Sequence, residues 1–197
     1  MNSKPTLHAW VDESMHTATP TMPEGIYLLA ATVADPAACE PVRDVLRGLP
    51  PGRARRLHWK DSDARTRRTL AAIVGGIDIE HTVVVGASID VRKQERARRK
   101  CMIHLLHALF ELGVSHVWAE RRTPSLNQRD LQLINALRSQ HAIPDKLHVD
   151  FTHPDQEPML WLPDIVAGAI GLHHRGDDAM PYERLRAGVT EHVIRLD

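Results

Sequence analysis

The chain has 197 residues, a length that fits one large domain, and its 43% hydrophobic and 25% charged residues exclude a disordered, collagen-like or coiled-coil protein. Formal net charge is zero, from 25 basic against 25 acidic residues, so the total advertises neither a nucleic-acid nor a membrane partner. The distribution is uneven. Thirteen basic residues stand against six acidic ones between Arg53 and Lys100, whereas acids outnumber bases six to three before that segment and thirteen to nine after it. Two cysteines, Cys39 and Cys101, are too few for a disulfide framework or a four-cysteine zinc site, which fits a reducing, cytoplasmic setting. No apolar run approaches transmembrane length, and Asp12 and Glu13 interrupt the first apolar stretch, so no membrane partner and no secretory leader are expected.

Leu7 to Val11 reads as a strand ending at Asp12, and after a Thr/Pro-rich hairpin the continuously apolar Ile26 to Val33 reads as a second. Asp35 as cap and Pro36 in the first turn predict a short helix stopping near Gly48. A basic loop at 53–56 leads to a short extended segment at Leu57 to Lys60, and Asp61 or Ser62 caps a helix running to Gly75-Gly76. Thr82 to Ile89 is the third strand. From Arg96 to Leu112 the apolar residues Ala97, Cys101, Leu105, Ala108, Leu109 and Leu112 keep helical spacing, with Gly113 as the stop. A fourth strand runs from Val114 to Ala119 and ends in Glu120. A helix at Ser125 to His141, a fifth strand at Leu147 to Phe151 and a last helix around Ile165 to His173 complete the series.

Three sequential strands followed by alternating helix and strand predict one α/β domain over 1–197. Its expected form is a mixed five-stranded sheet with helices on both faces and a helical, basic insertion at about 35–78. This is the element order of a ribonuclease H-like fold.

Three carboxylates fall where core gives way to surface: Asp12 after Trp10-Val11, Glu120 after Val117-Trp118-Ala119, and Asp164 after Leu160-Trp161-Leu162. Singly, each reads equally as a cap or a strand-end charge. If they converge, two carboxylates about 4 Å apart repel by about 4 kcal/mol at an effective dielectric of 20, so the trio must bind a cation or take up protons. Oxygen ligands without cysteine favour Mg²⁺ or Mn²⁺, and one or two such ions can serve phosphodiester hydrolysis. Asp164, Ala167, Gly168 and Gly171 share one helix face with almost no side-chain bulk, a face suited to close approach. Glu13 alternates to the other side of its strand from Asp12 and reads as structural.

Trp-Val-Asp-Glu-Ser at 10–14, Glu120-Arg121 followed by Leu126-Asn127-Gln128-Arg129-Asp130, and Glu-Pro-Met-Leu-Trp-Leu-Pro-Asp-Ile-Val-Ala-Gly-Ala at 157–169 resemble the domain-of-unknown-function 3800 family. Pro163 departs from the Ala more usual before the last acid. The resemblance implies a ribonuclease H-like fold and a metal-dependent nuclease site at Asp12, Glu120 and Asp164.

Asp130 is a further expected metal ligand or, alternatively, an acceptor for Arg121. His58 stands as a catalytic candidate beside the reading of an ordinary half-buried histidine. Arg53, Arg55, Arg56, Lys60, Arg96, Arg99 and Arg121 are the expected nucleic-acid contacts, against the plainer reading of a solvated charged face. The four tryptophans read as core. The expected activity is divalent-metal-dependent cleavage of RNA or DNA. The alternative is a catalytically silent ribonuclease H-like module that binds protein or nucleic acid, and homodimerisation is left open.

Overall fold

The computed structural model describes residues 6–49 and 57–196. β1 (Leu7–His16) and β2 (Gly25–Ala34) form an antiparallel pair, and β2 pairs on its other side with β3 (Glu80–Ile89), also antiparallel. β2 is apolar at successive positions because both of its faces are covered. Leu28 and Ala30 point to one side, Leu29 and Ala31 to the other. Leu28 and Leu29, both fully buried, each contribute about 1.5–3 kcal/mol.

On the Leu28 side lie α1 (Cys39–Arg47), α2 (Ala64–Val74) and α5 (Trp161–His174), packed with Trp10, Val83 and Val85. On the Leu29 side lie α3 (Gln94–Glu111) and α4 (Pro124–Ser139), packed with Ala9, Val11 and Val84. Gly113 ends α3 in the left-handed region at φ +86°, which an L side chain adopts only at a cost. β4 (Val114–Glu120) then runs parallel to β1, and β5 (His148–Thr152) parallel to β4. Cys39 and Cys101 are both buried and free.

Among the described residues the sheet has six strands, not the expected five, in the order β5-β4-β1-β2-β3-β6. After α5 the chain makes a short α6 (Met180–Leu185) and returns as β6 (Val189–Arg195), parallel to β3 at the sheet edge. Edge position explains why the strand carries little hydrophobic signal: most of it is exposed or half-exposed, Val193 included.

Other boundaries differ as well. β1 continues past Asp12 because residues 12–16 pair with Ala30 to Ile26 of β2. The expected extended segment at 57–60 instead contains a 3-10 turn, Trp59–Asp61, with His58 Nδ1 accepting the Lys60 N–H at 3.3 Å. The α2 cap is Asp63, whose Oδ1 accepts from Thr66 N at 2.7 Å, rather than Asp61 or Ser62. α5 begins at Trp161 after a 3-10 turn at Pro158–Leu160, and Pro163 falls in its first turn, where an N–H has no intrahelical partner.

Candidate active site

Strand alternation decides which acids meet. Trp10 faces α5, so Asp12 does too, while Glu13 faces α3. β4 lies beside β1 with Val11 opposite Ala119, which carries Glu120 to the neighbourhood of Asp12. Asp164 enters from the first turn of α5. The three carboxylates line one pocket of about 200 Å³ together with His58, Arg121 and the Glu13–Arg98–Arg122 group. Burial, then the charges of Glu120 and Asp164, push the Asp12 carboxyl well above the usual carboxylate range, and Asp12 shares a hydrogen bond with Glu120.

Two of the acids are held by main-chain donors. Asp12 Oδ1 accepts the Glu13 N–H at 2.7 Å. Asp164 Oδ2 accepts the Trp59 N–H at 2.7 Å and lies 3.8 Å from His58 Nδ1. Gly168 makes this approach possible, because a Cβ there would overlap the Trp59 indole. Trp59, expected as core, is indeed buried, as are Trp10 and Trp161. Arg121 is anchored by its Nη2 to the Phe151 carbonyl at 3.0 Å and by its main-chain N–H to Thr152 O at 2.9 Å.

Asp130 is not part of this carboxylate group. It is 5% exposed beneath it and is gripped by Arg98, itself 3% exposed, with Nε and Nη2 both donating to the carboxylate. Arg98 Nη1 also donates to Glu13, which accepts from the Tyr27 hydroxyl as well. Arg122 completes the network through Glu95 at 2.8 and 3.1 Å and lies 3.6 Å from Asp130. Asp130 therefore neutralises buried arginine charge, and the network supports the pocket floor. Arg98 is hidden in a charge run, although it shares the helix stripe of Met102, Leu105 and Leu109, all buried.

The expected nucleic-acid contacts separate. Arg121 lines the carboxylate pocket, and Lys60 lines an adjoining groove that shares His58 and Asp164 with it. Arg96 and Arg99 face elsewhere, lining a groove between α3 and α4. Arg53, Arg55 and Arg56 lie outside the described residues.

No protein-family model matches the chain. No curated protein matches it at a significant level either. Among the described residues, no three His, Cys, Asp or Glu side chains are already arranged around a metal position. The main-chain bonds to Asp12 and Asp164 show two of the three acids turned toward N–H donors. Their chemistry nevertheless fits a hard divalent ion, since the grouped donors are carboxylate oxygens whose mutual repulsion a cation would relieve.

Proposed function

We propose that this chain is a divalent-metal-dependent nuclease with a ribonuclease H-like core, hydrolysing phosphodiester bonds of RNA or DNA. The observation that carries the reading is the gathering of Asp12, Glu120 and Asp164, from β1, β4 and α5, in one pocket beside Arg121 and His58. The ribonuclease H-like reading draws on the antiparallel β1–β2–β3 meander extended by parallel β4 and β5; β6 departs from it.

Asp12, Glu120 and Asp164 would hold one or two Mg²⁺ or Mn²⁺ ions, which supply water activation and neutralisation of phosphate charge. The remaining roles belong to the chain. Arg121, fixed by Phe151 O, presents charge to a non-bridging phosphate oxygen at the pocket rim. His58, whose Nδ1 accepts the Lys60 N–H, lines the pocket and offers its Nε2 edge as a hydrogen-bond donor to a phosphate oxygen. The buried Arg98–Asp130 pair keeps Glu13 and the β1 backbone in place behind Asp12.

The test is a panel of labelled RNA, DNA and hybrid substrates with Mg²⁺ or Mn²⁺. Cleavage that requires the metal and is abolished in Asp12→Asn supports the reading. Cleavage undiminished in that variant or in excess chelator overturns the mechanism. No cleavage of any substrate, with retained partner binding, favours a silent binding module.

A further inference from the structure

We propose that the groove leaving the carboxylate pocket along the end of β1 carries the continuing polynucleotide strand, with Lys60, Arg67 and Arg175 meeting its phosphates. The proposal rests on the nuclease reading and deepens it, because it assigns the path of the strand beyond the cleaved bond and the side chains that meet its phosphates.

The groove has a volume of about 490 Å³ and shares Glu13, His58 and Asp164 with the carboxylate pocket, so the two form one continuous depression. Its far wall is made by the last residues of β1, Ser14 to His16, and by the C-terminal end of α5. From Asp12 to His16 the strand advances four residues, roughly 13 Å at about 3.3 Å per residue. That distance reaches past the phosphate at the carboxylates to the next ones along the strand. A mononucleotide seated on Asp12 and Asp164 does not extend to this end.

Charge changes sign along the same path. Arg67 donates Nε to Trp59 O at 3.2 Å and Nη2 to Lys60 O at 3.1 Å, with its guanidinium over the Trp59 ring. Both acceptors are neutral carbonyls, so these bonds orient the guanidinium without cancelling its charge. Lys60 is exposed at the groove and makes no ion pair among the described residues. Arg175 lines the groove and is paired locally with Asp177, two residues on. Between them sits His16, its ring resting on Gly171 and its Nε2 3.1 Å from Ser14 Oγ. Its imidazole is pushed down to about 4, chiefly by burial and then by Arg175, with Asp177 opposing and His174 and Lys60 acting in the same direction as Arg175. Trp59, the aromatic residue of the wall, is buried and offers no face for base stacking. Recognition is therefore of phosphates, without sequence preference.

The experiment measures binding separately from cleavage. Fluorescently labelled RNA and DNA oligonucleotides of increasing length are titrated, in chelator, onto full-length Asp12→Asn protein and onto the same protein carrying Lys60→Gln and Arg175→Gln, with circular dichroism as folding control. Affinity is expected to rise with length. The groove substitutions are expected to weaken long oligonucleotides on the order of tenfold, leave dinucleotides unchanged, and reduce the salt slope by about 1.4, roughly 0.7 for each single-strand phosphate no longer neutralised. Equal weakening of short and long oligonucleotides, or an unchanged salt slope, overturns the groove. If these binding results hold while the unsubstituted protein cleaves nothing, the nuclease reading fails and the groove stands. If cleavage occurs but the substitutions change neither binding nor KM for long substrates, the groove alone fails.

Discussion

The main-chain N–H of Trp59 donates to Asp164 Oδ2 at 2.7 Å, joining positions 105 apart in sequence. The bond ties the segment between β2 and β3 directly to the carboxylate pocket, and it exists because α5 presents Gly168 where the Trp59 ring lies. The insertion is thus part of the site wall, carrying His58 and Lys60 with it.

Gly168→Val is expected to push the Trp59 indole off α5 and break that bond. Overpacking of this kind costs about 1–3 kcal/mol, partly offset by the better helix propensity of valine over glycine. Urea denaturation should show the destabilisation, accompanied by a fall in cleavage. Unchanged stability and activity would mean that the turn does not depend on close approach to α5.

Asp130→Ala leaves Arg98 buried with only Glu13 as a carboxylate partner at hydrogen-bonding distance. Removing one partner of a buried pair costs about 3–5 kcal/mol. The expected result is a much lower urea midpoint with calorimetric binding of Mn²⁺ retained by the protein that stays folded. Abolished Mn²⁺ binding at undiminished stability would instead return Asp130 to the metal ligands.

The separation of Asp12 from Glu13 was legible in the sequence, because a period of two in Trp10-Val11-Asp12-Glu13 is local information. So was the compact face of Gly168 and Gly171, although not its occupants: the rings seated there, Trp59 and His16, arrive from distant segments. Arg98 and Asp130 resist such a reading for a related reason. Their pairing spans 32 positions and two helices, and neither residue reveals burial until its counter-charge is known. β6 escapes because a half-exposed edge strand pairing with residues about a hundred positions earlier leaves no strong local pattern.

Asp12→Asn is expected to raise the thermal midpoint in chelator by a few degrees, since about 1 kcal/mol shifts a domain of this size by about 2–4 °C. Burial, Glu120 and Asp164 raise the Asp12 carboxyl, so the folded state holds its proton more tightly than the unfolded chain. That contribution is full at low pH and is lost as pH rises from the ordinary carboxylate range through the raised value. Asparagine does not titrate, so its advantage grows with pH. Differential scanning fluorimetry from pH 4 to 8 checks the sign. A variant that is less stable at every pH would show that the acid is not repelled by its neighbours.

His81, which does not line the carboxylate pocket, sets a second pH dependence. It is 3% exposed on β3, with Nδ1 2.9 Å from Thr32 Oγ1, and burial pushes it down to about 4. An unfolded histidine titrates near 6.5, so between pH 6.5 and 4 the unfolded chain takes up a proton that the folded protein refuses. Stability therefore falls as pH drops through that window and is unaffected by this group below it. The shift corresponds to about 3 kcal/mol, and His16, also held near 4, adds to the same acid limb. His81→Gln retains a partner for Thr32 but removes the titration. Its urea-unfolding free energy is expected to decline less steeply than the parent's from pH 6.5 to 4. Parallel curves for the two proteins would show that His81 becomes protonated without leaving its buried position.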